Sequence, residues 1–117
     1  MNAQAHCELN FAIPNKTNVI SVLSLRVGAS KGIDARTLAD ICNISEREVR
    51  KAVSELREDG AAICARPSTG YFVASNAAEL EECCQFLRSR AMHSLHLESR
   101  LRRIPLADLL GQLHLPT

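Results

Sequence analysis

DARTLADICNISEREVRKAVSELREDG, residues 34–60, decides the fold. Two apolar rhythms of helical spacing occupy it, separated by a short polar break. Asp34 offers a side-chain cap, and Leu38, Ala39 and Cys42 then recur on one face of a short helix over 35–42. Asn43-Ile44-Ser45 leaves room only for a tight connection. Ser45 and Glu48 have the spacing of a capping box, in which hydroxyl and carboxylate satisfy orphan amides of the first turn reciprocally. The helix they start extends to Asp59, with Val49, Ala52, Val53 and Leu56 as its inner stripe. Gly60 stands where a helix end takes a left-handed glycine.

Upstream, Ile20, Leu23 and Val27 fall at helical spacing with Val19 and Val22 beside them, which predicts a helix from Asn15 to Ala29, punctuated by Gly28 and Gly32. Met1 to Pro14 has no period, and Phe11 and Ile13 are expected to pack on the body as an extended arm. Downstream the period changes. Ala61 to Ala65 predicts a strand, Arg66-Pro67-Ser68-Thr69-Gly70 is turn chemistry, and Tyr71 to Ala74 predicts the returning strand. Asn76 and Glu79 then open a helix free of Pro and Gly to about Arg103, which Pro105 ends. Leu106, Leu109, Leu110 and Leu113 share a face of a short final helix. The organisation expected is an arm over 1–14, a compact domain over 15–75 and a helical C-terminal element over 76–117. The fold class is mainly α with a small β-hairpin.

Helix, helix, turn, helix, strand, wing turn, strand: through Leu38-Ala39, Ile44-Ser45, Val49-Arg50, Val53, Leu56, Gly60, Ile63 and Gly70-Tyr71 the chain resembles the winged helix-turn-helix family over roughly residues 17–75. It is similar to the DNA-binding domains of biotin-repressor-like and related small bacterial or phage regulators. Its long C-terminal helix lies outside that resemblance. The spacing has a physical reason: helices joined by so short a turn cross steeply, and small Ala39 permits the approach. The resemblance implies a small transcriptional regulator that binds double-stranded DNA sequence-specifically, with helix 46–59 in the major groove and the 66–70 wing beside it.

On a wheel of about 100° per residue, Arg47, Arg50, Lys51 and Ser54 lie opposite the apolar stripe of that helix. Basic residues occupy the N-terminal half of this exposed face, although Glu46 and Glu48 sit near the same path, and Glu55, Glu58 and Asp59 fall in the later turns. A recognition helix enters the groove near its N-terminus, so this polarity suits DNA. Arg47 and Arg50 reach guanine edges or phosphates, and Lys51 suits a phosphate. Arg66, Ser68 and Thr69 are the expected wing contacts. Arg36 and Thr37 stand at a helix N-terminus, a natural phosphate dock, and Lys16 and Lys31 add charge nearby. A face bearing both signs of charge is also what an ordinary solvated helix shows. A winged helix used as a protein-interaction module, an inhibitor or adaptor that does not bind DNA, is therefore the rival reading.

In the long helix Leu80, Leu87, Ser94 and Leu101 are seven apart, with Cys84, Ala91 and Glu98 interleaved, the spacing of a coiled-coil seam. Leu87, Ala91, Ser94, Leu95 and Leu101 are the expected contacts of a homodimer that would read a two-fold site. The alternative is that the helix folds back with residues 106–115 on its own domain.

Composition bounds the rest. In 117 residues the net charge is +1, aromatics are 3% and Trp is absent, so the core must be aliphatic and RNA recognition by stacking lacks its platform. Five cysteines without a recognisable leader predict reduced thiols and a cytoplasmic setting. No apolar run is long enough for a membrane span. Cys83 and Cys84 diverge around their helix, and His93 and His96 lack further ligands one turn away, so no metal is expected. No nucleophile elbow, phosphate loop or catalytic carboxylate pair is present; neither enzyme activity nor a cofactor is expected.

Overall fold

A computed structural model of the chain describes residues 13–115. They fall into two compact units, one up to Glu81 and one from Glu82. The first contains α1 (Ile13–Leu23), a 3-10 turn (Ala29–Lys31), α2 (Ala35–Cys42), α3 (Glu46–Glu58), β1 (Ile63–Arg66), β2 (Gly70–Val73) and the start of α4 (Ala77–Arg102). The second holds the rest of α4 and α5 (Leu106–Gln112). This is the winged helix-turn-helix expected, with a long C-terminal helix. No helix among the described residues is long and apolar enough to cross a membrane.

Val19 and Leu23 of α1, Leu38 and Ala39 of α2, and Val49, Ala52, Val53 and Leu56 of α3 form one buried cluster with Ile33 and Ile63. The helix ends fix the crossing of α2 and α3. The Asp34 carboxylate accepts the Thr37 amide at 2.7 Å. Ser45 Oγ accepts the Glu48 amide at 3.1 Å while Glu48 accepts the Ser45 amide at 2.9 Å, closing the capping box. Asn43 takes the left-handed conformation, and the Ile44 amide donates to the Ala39 carbonyl at 3.0 Å. Gly60 repeats the device at the end of α3, with the Ala61 amide on the Leu56 carbonyl at 2.9 Å. Ile44 and Ala61, the residues that close these two turns, both pack on the cluster.

Three expectations are corrected. The first helix stops at Leu23 rather than Ala29 because β2 claims the chain that follows. The Val73 amide donates to the Arg26 carbonyl and the Gly28 amide to the Val73 carbonyl, both at 2.8 Å. Ile33 and Tyr71 exchange both bonds, at 2.8 and 2.7 Å. Val27 and Ile33 thus each form a single bridge to β2, the first parallel to Val73 and the second antiparallel to Tyr71, on either side of the 3-10 turn, and Val19 rather than Val27 joins Leu23 in the core. Second, Ile13 opens α1 instead of extending as an arm, and Pro14 sits in the first turn, where its missing donor costs nothing. Phe11 and the rest of the expected arm lie outside the described residues. Third, β1 begins at Ile63, since Gly60 and Ala61 are taken by the helix terminus.

The hairpin pairs Ile63 with Val73 and Cys64 with Phe72. Ile63 and Val73 pack with the cluster, while Cys64 and Phe72 point to the other face and are each only 1% exposed. The first turn of α4 covers part of that face. The Cys64 thiol donates to the Glu79 carbonyl at 3.8 Å. Asn76 caps α4 by accepting the Glu79 amide at 2.9 Å. The Glu79 carboxylate then accepts the Ser75 amide and hydroxyl, both at 2.8 Å, and the Ala29 amide at 3.0 Å. One side chain therefore joins the start of α4, the exit of β2 and the 3-10 turn.

These bonds make stability acid-sensitive. Glu79 is held below the ordinary carboxylate range by the Ser75 and Ala29 amides. Glu48 is held low by the Ser45 amide, and Asp34 by Thr37, through its hydroxyl and its amide. A carboxylate whose pKa is lower folded than unfolded contributes fully above the ordinary range, and its contribution disappears as pH falls through the folded value. The melting temperature is thus expected to stay level from neutrality down to about pH 5 and to fall below about pH 4. Glu79→Gln is expected to lower the neutral value and flatten the acid limb; an acid limb parallel to that of the native chain would contradict the assignment.

In the second unit Ser99 is buried and its hydroxyl donates to the His96 carbonyl at 2.6 Å. Arg103 turns left-handed to end α4, and the Ile104 amide donates to the Ser99 carbonyl at 3.0 Å. Leu109 and Leu110 of α5 are buried, Leu106 is half-buried and Leu113 is exposed.

Candidate nucleic-acid interface

α3 turns its apolar stripe wholly inward, which leaves Arg47, Arg50, Lys51 and Ser54 exposed on the opposite side. Glu58 continues the same row at the C-terminal end. The row runs from basic to acidic along the helix. Arg50 stands 3.9 Å from Glu46, both well exposed, an ion pair loose enough for a phosphate to displace. Glu48 is held at the helix cap by Ser45, and Asn15 approaches its carboxylate at 3.5 Å. It stays anionic but is engaged at the cap. The N-terminal half of the exposed face consequently offers its cations outward.

Around this row the expected contacts divide. Lys16 lies 2.6 Å from Asp59, so it ties α1 to the far end of α3 instead of adding a phosphate contact, and its pKa is raised by that hydrogen bond. Lys31 is exposed on the 3-10 turn. Arg36 and Thr37 are exposed at the start of α2, but Asp34 already occupies the Thr37 amide. An anion approaching that terminus meets a carboxylate, which leaves the Arg36 guanidinium as the group able to serve there.

The wing is short and pinned. The Thr69 amide reaches the Arg66 carbonyl at 3.3 Å across Pro67 and Ser68. A β-carbon on Gly32 would lie 2.3 Å from the Thr69 carbonyl oxygen, and one on Gly70 would lie 2.3 Å from that of Ile33. Only chain without side chains permits this approach between the wing and the connection leading into α2. The Thr69 hydroxyl is buried, with no hydrogen-bond partner among the described residues. Ser68 is exposed. Arg66 is half-buried, its guanidinium 5.7 Å from the Phe72 ring centroid. The pinning of the wing had no signal in local sequence, because it depends on two glycines 38 positions apart.

Chemically the surface presents exposed cations on a helix whose opposite face is buried. Among the described residues no three His, Cys, Asp or Glu side chains converge to hold a metal ion. Residues 20–72 match the family model described as an HTH domain, that is, a helix-turn-helix domain. No curated protein and no solved structure matches the chain.

Proposed function

Over residues 20–72 the chain is a helix-turn-helix protein, and from that premise we propose that it binds operator DNA sequence-specifically as a small, dimeric transcriptional regulator of the cytoplasm. The observation that carries the proposal is the exposed, basic N-terminal half of α3, set on a helix whose opposite face is locked in the core. Arg47 and Arg50 enter the major groove and read base edges, Lys51 takes a phosphate and Ser54 lies at the rim. Arg36 and Lys31 take backbone phosphates from the flank. Ser68 and Arg66 touch the backbone beside the groove, a lesser contribution because the wing is short.

Fluorescence anisotropy on labelled duplex DNA tests this. The native chain is expected to bind with an affinity that falls steeply with salt, by a log–log slope of about −0.9 per phosphate neutralised. Combining Arg47→Ala, Arg50→Ala and Lys51→Ala is expected to weaken binding by about 100-fold or more, since one arginine on a guanine edge alone is worth ~1–3 kcal/mol. All three residues are exposed, so the variant keeps its fold and its melting temperature. Failure of the native chain to bind at low salt would end the DNA reading.

The second reading, a protein-interaction module, draws on the acidic C-terminal half of α3 and a net charge of only +1. It requires salt-tolerant binding to a protein and indifference to Arg50→Ala.

A further inference from the structure

Two carboxylates stand in the first turn of α3, near the path by which that helix approaches DNA, and they are not equivalent. Glu48 is spent on the cap: it accepts the Ser45 amide at 2.9 Å, and Asn15 approaches it at 3.5 Å. Glu46, the first residue of the helix, takes no part in the cap. Its ionic partner among the described residues is Arg50, one turn on, at 3.9 Å, too far for a hydrogen bond. The side chains of Glu46 and Arg50 are 49% and 62% exposed. The Glu46 oxygens therefore remain open as acceptors. A carboxylate so placed is repelled by phosphates in any sequence, so it opposes non-specific binding. That cost is offset only where the groove turns a donor toward it.

We infer that Glu46 is a specificity-determining residue, accepting the exocyclic amine of a cytosine whose paired guanine is read by Arg50. The inference rests on the operator reading above and goes beyond it by assigning one base pair to two named side chains. An acceptor-only group and a donor-only group stand side by side, one helical turn apart. In the major groove a G·C pair presents their complement. The guanine N7 and O6 acceptors take the guanidinium, and the cytosine N4 amine beside them meets the carboxylate. Exchanging the pair to C·G or A·T turns an acceptor, guanine O6 or thymine O4, toward Glu46. T·A offers Glu46 the adenine amine but denies Arg50 the two adjacent acceptors of guanine. Arg50 therefore supplies most of the attraction, and Glu46 acts chiefly by rejecting the wrong pairs.

Selection of duplexes from a randomised pool by the full chain, followed by anisotropy on the selected duplex, tests this. The native chain is expected to enrich sites with a fixed G·C pair. It is expected to bind the selected duplex about tenfold or more tighter than one carrying A·T at that pair. Arg50→Ala and Glu46→Ala are each expected to relax that same position, and Glu46→Ala to bind the A·T duplex more tightly than the native chain does. Glu46→Gln preserves the length of the side chain at the helix start but adds a donor, so it too is expected to lose the preference for cytosine while remaining folded. Variants at Glu46 that change affinity for every duplex by one factor, with the selected sequence intact, would overturn the inference. The carboxylate would then serve only the helix start, where it favours the macrodipole. Relaxation by the Arg50 and Glu46 variants at separate pairs would overturn it as well. Both outcomes leave the operator reading standing, whereas a native chain that binds no duplex at low salt ends that reading and this inference together.

Discussion

Phe72→Ala is expected to lower the free energy of unfolding by roughly 3–5 kcal/mol, the range for removing a buried aromatic ring without full collapse of the space. Phe72 is the largest of the fully buried side chains, with 1% of its surface exposed. It lies in the middle of β2 opposite Cys64, on the hairpin face turned away from the aliphatic cluster. Neighbouring strands cannot close over the vacated space, because β2 is held on both edges, by β1 and by Arg26, Gly28 and Ile33. The ring is also the platform for the Arg66 guanidinium, 5.7 Å from its centroid. A domain stable by ~5–15 kcal/mol loses a large share of that margin. Urea denaturation checks the value. The midpoint should drop with the slope unchanged, and Phe72→Leu should recover more than half of the loss. A midpoint shift worth less than about 1 kcal/mol would mean that the ring is not packed as described.

Gly70→Ala is expected to be nearly as damaging although it adds a single methyl group. The residue has φ +87°, a conformation that costs an L-residue ~1–2 kcal/mol. The new β-carbon would also lie 2.3 Å from the Ile33 carbonyl oxygen and 2.7 Å from the Asp34 nitrogen, so β2 must move away. That movement breaks the reciprocal Ile33–Tyr71 bonds, each worth ~0.5–1.5 kcal/mol. The total is roughly 2–5 kcal/mol. Gly60 provides the comparison. Its φ is +100°, but a β-carbon there meets nothing within 4 Å, so Gly60→Ala carries the conformational cost alone. Gly70→Asn separates the two causes, because asparagine tolerates the left-handed region yet still brings the β-carbon. It should regain at most the conformational ~1–2 kcal/mol and stay below the native stability by the share due to the displaced strand. Recovery to the native value would leave conformation as the only cause.

Both positions lie away from the exposed row of α3, which distinguishes them from the binding variants. Arg47, Arg50 and Lys51 are exposed, so replacing them is expected to change DNA affinity without changing the melting temperature. Phe72→Ala and Gly70→Ala act in the opposite order. DNA binding is expected to survive in whatever fraction of the chain remains folded.

Residues 34–60 determined their own structure almost completely. Asp34, Ser45, Glu48, Asn43 and Gly60 act on amides and carbonyls within five residues of themselves, so their bonds are local and visible in spacing. The inward stripe of α3 and the basic row opposite it follow from one helical period in the same way. Tertiary structure decided what depended on a distant partner. The first helix ended at Leu23 because β2, almost fifty residues later, took Arg26, Gly28 and Ile33 as hydrogen-bond partners, which outweighed an apolar pattern equally suited to a longer helix. Glu79 looked like a simple helix cap, yet it also accepts the amide of Ala29, fifty positions upstream. Thr69 looked like a wing contact, but Gly32 and Gly70 draw the wing in until its hydroxyl is buried. In α4 the heptad spacing was legible, whereas the choice between two opposed stripes was not. An isolated helix period shows that a face is apolar, and only the burial of Met92, Leu95 and Ser99 shows which face the chain has already used. Local hydrogen bonds are written in neighbouring residues; pairings across the chain become visible only once folding has brought the partners together.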